Sequence, residues 1–197
     1  MASIENNAGD ALVAAWKKTP STKLTWSKSA SNFLVEGGGA PSYFSSYGLD
    51  GELRSKPDIA APGGNILSTL PTNHPGESPY GVKSGTSMAT PYIAGSYALY
   101  MQAKGIKSRD VNMQPNKPRS DDIRQVLKNT AKRSSNINSK TLASVAKQGA
   151  GLVNVLNAIE TTTSITPDHI DLLDSDHFHK TVKISIKNNG RHTETYT

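Results

Sequence analysis

The chain has no cysteine and no long apolar run, and each absence excludes a class of protein. Without Cys among its 197 residues, it can form neither a disulfide nor a thiolate metal site. Its longest uncharged stretch is interrupted by Ser, Thr, Pro and Gln, so we expect no membrane span. The first five residues lack the basic start and apolar core of a signal peptide. Secretion is not excluded by any of these features.

Positive charge is spread over a chain of modest hydrophobicity. Hydrophobic residues make up 35% of the sequence, and the formal net charge is +6. Lys and Arg are scattered, and no basic run is interleaved with aromatic residues, so we do not expect nucleic-acid binding. The length suits one modest domain or parts of two.

The most informative stretch runs from Ser84 to Pro91 and reads Ser-Gly-Thr-Ser-Met-Ala-Thr-Pro. No Asp, Glu, Lys or Arg occurs between Ser84 and Ala103, and a helix without charge on any face is usually buried. A Ser that begins such a helix lies near unpaired N–H groups and the positive end of the helix dipole, which can stabilise an oxyanion. The alternative is an ordinary helix cap, a position that favours Ser and Thr.

Two motifs, in order, carry a resemblance to a known family. Gly85–Pro91, with Ala94-Gly95 one turn later, resembles the nucleophile segment of the subtilisin-like serine proteases. Lys56–Gly63, which reads Lys-Pro-Asp-Ile-Ala-Ala-Pro-Gly, resembles the segment that precedes the serine in that family. A chance match to both motifs at this spacing is hard to credit.

The resemblance assigns roles to three residues of the first motif. It implies that Ser87 is the nucleophile that forms the acyl-enzyme and that its backbone N–H helps to hold the oxyanion. Thr86 would shape that oxyanion hole, and Gly85 would let the substrate backbone approach because it has no Cβ. Protein or peptide substrates and an extracellular, secreted location are further implications of the family.

Further segments extend the resemblance over residues 28–160. Ser42–Gly48 is similar to the Phe-Ser-Ser-x-Gly segment of the family, although Leu49 stands where Pro is common. Gly149–Val155 is similar to the segment that closes the catalytic domain. The implied fold class is α/β, a partial subtilisin-like parallel sheet with flanking helices, and the helix after Ser87 is expected to be buried at its centre.

The two ends of the chain resemble parts of other modules. Residues 1–27 are similar to the end of a protease-associated insert, with a plain αβ element of the main domain as the alternative. Residues 161–197 resemble the start of a fibronectin-III-like β-sandwich, because Thr181–Lys187 alternates as a half-buried strand and Asn188–Gly190 is a hairpin signal. Thr161–Ser164 is predicted to be the linker between the catalytic-domain segment and this β domain.

Serine hydrolysis also needs a base and a group that orients it. No histidine precedes His74, which lies in a predicted polar loop outside the family pattern, and no Asp motif of the triad or oxyanion Asn is found. We therefore expect a fragment that is truncated at both ends, contains the C-terminal half of a catalytic domain and is inactive by itself. A non-catalytic binding or antigenic fragment, or a pseudoprotease, is the alternative.

No cofactor is evident, and although the family allows structural calcium, no site for it is identified. Asp174, Asp176, His177 and His179 form a local group of potential metal ligands. The favoured alternative is a polar turn, since turns collect Asp and His. Gly37–Gly39 is predicted to be a turn, because it lacks the flanking strand of a phosphate-binding loop.

Local patterns predict the remaining elements. The expected helices are Ala8–Lys18 capped by Asn6 or Asn7, one from Met88 to Lys104-Gly105, one capped by Ser120 that buries Ile123, Val126, Leu127 and Ala131, and a last one ending near Ile159. The expected strands are Thr22–Trp26 and two within Ile59–Leu70 separated by a Gly turn.

Overall fold

The computed structural model describes residues 6–21, 23, 37–72, 78–107, 111, 119–171, 173–178 and 180–196. The chain divides into two compact units, Met1–Glu36 and Gly37–Thr197. The predicted strand at Thr22–Trp26, apart from Lys23, and the loop residue His74 lie outside the described residues. Among the described residues, no helix combines the length and apolar character needed to cross a membrane.

The described part of the first unit is one helix, α1, at Asn6–Lys18. It begins two residues earlier than predicted, so Asn6 and Asn7 are helical residues and the predicted cap is wrong. The first N–H groups of a helix need no intrahelical acceptor, and this makes Asn tolerable there. Lys17 and Lys18 in the last turn favour the negative end of the helix dipole.

The second unit contains a hairpin of two antiparallel strands, β1 at Ile66–Thr69 and β2 at Tyr80–Lys83. Of the two strands predicted within Ile59–Leu70, the second is confirmed as β1. The first is wrong, since Ala60 forms only an isolated parallel bridge with Leu152. Proline lacks the N–H that a ladder needs, and the prolines on both sides of Ile59–Ala61 keep this pairing short.

Helix α2 spans Thr86–Ala103 and ends before Lys104, as predicted, but it begins two residues before the predicted Met88. Its predicted burial is wrong, because only Ser96 is fully buried, while Tyr92 and Leu99 are about half exposed. One side of α2 packs on α3 (Ser120–Asn129) and α5 (Val155–Glu160), and no described element covers the other side.

Helices α3 and α5 enclose the hydrophobic core. Arg119, and not the predicted Ser120, is the N-cap of α3, because the Asp122 carboxylate accepts the Arg119 N–H at 2.8 Å. Asn154 caps α5 by accepting the Asn157 N–H at 3.0 Å. A short helix that was not predicted, α4 at Val145–Gln148, has Ser144 as its cap. The fully buried core residues are Ile123, Leu127, Val153 and Ala158.

The predicted buried face of α3 is confirmed in part. Ile123 and Leu127 are buried, and Val126 is half-buried against the same core. Ala131 is wrong as a helix-face residue, since α3 ends at Asn129 and Ala131 lies beyond its C-cap.

The C-terminal region forms a second antiparallel pair, β3 at Thr163–Thr166 and β4 at Ser185–Asn188. The predicted linker at Thr161–Ser164 is therefore too long, because β3 begins at Thr163. All four β4 residues are exposed, so the predicted half-buried strand is wrong. The Asn189 N–H donates to the Thr162 carbonyl at 2.9 Å and so extends the β3–β4 pairing by one position.

The described residues thus form a mixed α/β structure with two antiparallel pairs. The described residues form neither the predicted parallel sheet nor the predicted β-sandwich, and both remain predictions.

Candidate active site

The predicted nucleophile turn connects β2 to α2. Gly85 is the N-cap, with an extended backbone at φ 158° and ψ 164°, and Ser87 is the second residue of the helix. Ser87 and Thr86 are exposed, whereas Gly85 is half-buried. N–H groups in the first turn have no intrahelical acceptor, and no described group accepts from Thr86 or Ser87.

Gly63 holds this turn at close range. The Gly85 N–H donates to the Gly63 carbonyl at 2.8 Å. A Cβ on Gly63 would lie 2.8 Å from the Gly85 oxygen and 3.2 Å from the Ala89 Cβ. Only glycine therefore allows the segment that ends in Pro62-Gly63 to touch the turn, which places the two family-like motifs against each other.

A second contact joins the same two segments. The Asn65 N–H donates to the Ser84 Oγ at 2.8 Å, and the Ser84 hydroxyl lies 3.4 Å from the Asn65 Oδ1. Asn65 has a φ of 52°, a conformation that Asn tolerates better than most residues. This contact was not predicted; Gly63-Gly64-Asn65 indicates a turn, but nothing local in the sequence pairs it with Ser84.

The start of α2 provides the electrostatics that an oxyanion requires. The Met88 N–H donates to the Gly85 carbonyl at 3.0 Å and closes the first turn. The Thr86 and Ser87 N–H groups then stay available at the positive end of an 18-residue helix. The arrangement can bind a developing negative charge beside an exposed hydroxyl.

The described histidines lie in other contacts. His169 is bonded to Asp168 and His177 to Asp174, while the His192 carbonyl accepts from Asn188. No hydrogen bond joins any of them to Ser87 in the part of the chain that the structure describes. The exposed Ser87 hydroxyl and the N–H groups of the first turn therefore lie together, and no described histidine contacts them.

The predicted ligand group near Asp174 forms a turn. The Asp174 Oδ1 accepts the N–H groups of Asp176 at 3.1 Å and His177 at 2.8 Å, and it lies 2.6 Å from the His177 Nδ1. The side-chain hydrogen bond from His177 lowers the pKa of Asp174 below its ordinary value. His179 lies outside the described residues, and no group of three or more potential ligands occurs within them.

A group of charged residues beneath the Pro57-Asp58 segment was not predicted. We call it the Lys128 cluster: Lys128, Asp58, Asp168, His169 and Asp171. The Lys128 side chain is 5% exposed, and its Nζ lies 2.8 Å from the Asp168 Oδ2 and 3.5 Å from the Asp58 Oδ1. The Ser55 N–H donates to Asp171 at 2.6 Å, and His169 lies between Asp168 and Asp171.

The two carboxylates nearest Lys128 have lowered pKa values. Burial acts to raise the pKa of Asp58, but the hydrogen bond from Lys56 and the charges of Lys56 and Lys128 outweigh it. Burial also acts to raise the pKa of Asp168, and hydrogen bonds from Lys128 and His169 outweigh it. Both groups are therefore held ionised around a buried ammonium, which needs such partners.

Comparison with known proteins places the chain in a family. Residues 10–151 match the model of the subtilase family, peptidase S8, so the chain belongs to that family of serine proteases. This confirms the resemblance carried by the two motifs.

The chain is similar to several bacterial proteinases. It is 38% identical over 166 residues to the PII-type proteinase of Lacticaseibacillus paracasei, covering 78% of this chain and 8% of that protein. It is 37% identical over 165 residues to the minor extracellular protease Vpr of Bacillus subtilis, covering 81% of this chain and 18% of that protein. It is 34% identical over 150 residues to a C5a peptidase of Streptococcus pyogenes, covering 76% and 12%. The chain thus spans less than a fifth of these relatives.

Proposed function

We propose that this chain carries the nucleophile of a subtilisin-like serine endopeptidase, and that Ser87 is that nucleophile. One observation carries the proposal: Ser87 is exposed in the first turn of α2, beside N–H groups with no described acceptor, within the family-matched region. The Ser87 Oγ would attack the carbonyl carbon of a peptide bond and form an acyl-enzyme that water then hydrolyses.

Each residue of the turn has a proposed part in that reaction. The Ser87 N–H would donate to the oxygen of the tetrahedral intermediate, because this hydrogen bond strengthens as negative charge develops on the oxygen. Thr86 would form one wall of this oxyanion hole, and Gly85 would leave room for the substrate backbone. The contact between Gly63 and Gly85 keeps this geometry fixed before substrate arrives.

The proton of the Ser87 hydroxyl requires a base. No residue before Ser87 matches the His or Asp motif of the family, and the relatives are several times longer than this chain. We propose that the base, its orienting carboxylate and the side-chain oxyanion donor belong to other parts of the protein that carries this chain. By this proposal the 197 residues alone would not turn over peptides.

The proposed domain organisation follows the sequence analysis. Residues 1–27 would end a protease-associated insert, 28–160 would form the C-terminal half of the catalytic domain, and 161–197 would begin a fibronectin-III-like domain. The antiparallel pair that starts at Thr163 supports the last boundary. Protein or peptide substrates and secretion are proposed from relatives whose names denote proteinases and, in one case, an extracellular protease.

The test is covalent labelling of the whole protein that carries this chain. A fluorophosphonate probe, followed by peptide mapping, should modify Ser87, and Ser87→Ala should abolish labelling and lower kcat by about 10⁶-fold. Ser96→Ala is the matched control, because Ser96 lies on the same helix and donates to its own helix at the Tyr92 carbonyl. It should label like the parent protein.

The competing function is a non-catalytic binding module or a pseudoprotease. A folded whole protein that fails to label at Ser87 and hydrolyses no casein would establish that alternative. Labelling at another serine would move the active site away from α2.

A further inference from the structure

We propose that Lys128 is a positioning residue for the Ser87 site, acting through Asp58 and the segment that leads from Asp58 to Gly63. The proposal rests on the proposed function for its effect on hydrolysis. Its structural part, a coupling from the Lys128 cluster to the nucleophile turn, does not.

Lys128 occupies a position that is unfavourable for a charged group. A buried ammonium is unfavourable unless it is paired, and Lys128 is almost fully buried on a helix whose other inward residues are apolar. It contacts carboxylates from two segments distant in sequence, Asp58 and Asp168. Loss of the ammonium would leave like charges facing each other across its place.

From Asp58 the chain leads toward the site. The Ala150 N–H donates to the Asp58 carbonyl at 3.1 Å. The Ala60 N–H donates to the Gly151 carbonyl at 2.8 Å, and the Ala60 carbonyl accepts the Val153 N–H at 2.9 Å. A Cβ on Gly149 would lie 2.2 Å from the Pro57 carbonyl oxygen, so this contact is tight. Residues 58–60 are thus held on both sides, by backbone bonds and by the charge of Lys128.

The same segment is joined to the nucleophile turn. Gly63 follows Asp58 by five positions, and its carbonyl accepts the Gly85 N–H two residues before Ser87. A shift of Asp58 therefore moves the acceptor that holds the N-terminus of α2. Oxyanion donors act only when held in position, so a small displacement here weakens catalysis.

The structure offers a matched control on the same helix. Asn129, the neighbour of Lys128, donates to the Ile165 carbonyl at 3.0 Å and so holds β3 against α3. No described hydrogen bond joins Asn129 to Asp58. Asn129→Ala should loosen β3 but leave the path from Asp58 to Gly63 intact.

The experiment measures amide hydrogen exchange in the whole protein that carries this chain. Lys128→Met and Asp58→Asn should each speed exchange at Gly85, relative to the core amide of Ala158, by roughly 2- to 30-fold. The double variant should show no more than Lys128→Met alone, because both substitutions cut one path. Asn129→Ala should leave the ratio unchanged.

A second readout is the rate of fluorophosphonate labelling at Ser87. Lys128→Met should slow it by a similar factor, and Lys128→Arg, which keeps the charge, should restore part of it. A merely structural role would speed Gly85 and Ala158 exchange equally, and that result overturns the proposal. If the parent protein does not label, the proposed function fails, while the exchange ratio still decides the coupling.

Discussion

Helices α2 and α3 lie side by side, yet they are buried to very different extents. α3 exposes Asp121, Asp122 and Arg124 and buries Ile123 and Leu127 almost completely. α2 has no charge on any side, yet Ser96 is its one fully buried residue. An amphipathic pattern names the side that will be buried, whereas an apolar pattern all round states only that cover is needed. Whether other segments pack on every side of such a helix depends on parts of the protein outside the helix.

The largest effect should come from the buried side of α3. Leu127→Ala should lower the free energy of unfolding by about 2–5 kcal/mol, through lost burial and a cavity. Leu99→Ala on the open side of α2 should cost under about 0.5 kcal/mol, since Leu99 is already half exposed. Denaturant unfolding of both variants measures the contrast, and equal costs would show that α2 is covered after all.

The contact between the two motifs should be next in size. Gly63→Ala forces a Cβ against the Gly85 oxygen and should cost roughly 1–3 kcal/mol. Gly95→Ala serves as its control, because a Cβ there meets nothing within 4 Å and helix propensity favours Ala. A stabilising Gly63→Ala would refute the close approach.

A helix cap should have a smaller effect. Asn154→Ala removes the acceptor for the Asn157 N–H and should cost about 1 kcal/mol. Asn154→Asp keeps an acceptor and should retain most of the stability. Thermal unfolding of the two variants would reveal whether the cap or the bulk of Asn154 matters.

The smallest expected effect is the loss of folding stability at low pH. Asp168 faces Lys128 and His169, and Asp58 faces Lys56, Lys128 and Arg124. A carboxylate whose pKa is lower in the folded protein stabilises it above the ordinary value of 3.8, and this stability is lost as pH falls below that value. Unfolding temperatures measured downward from about pH 5 should therefore fall more steeply for the parent protein than for Asp168→Asn. Parallel curves would contradict the lowered pKa.

The sequence predicted local elements better than their surroundings. The C-terminal end of α2, the burial of Ile123 and Leu127 in α3 and the strand after Pro62-Gly63 followed from helix patterns, charges and turn residues. The exposed β4 was predicted as half-buried, because alternation shows which residues share a side without showing that anything packs on it.

The candidate site was predictable only as a motif. Ser87 and its neighbours stand in a recognisable order, but the contacts of Asn65 with Ser84 and of Lys128 with Asp58 join positions far apart in sequence. A lone Lys on a helix gives no sign that it will be buried between two carboxylates. Such pairings depend on the packing of several segments at once, which no local pattern contains.

The β1–β2 hairpin, which precedes Ser87, differs along its length in how well it tolerates inserted residues. Contacts between Gly63 and Gly85, Asn65 and Ser84, and Ile66 and Lys83 close its base. One added residue within β1 would reverse which side each later side chain faces and carry the turn out of register. Residues added to the connection between Leu70 and Pro79 would leave both strands in register, at a small cost in closure entropy. Insertions in that connection can therefore accumulate close to Ser87 without displacing it.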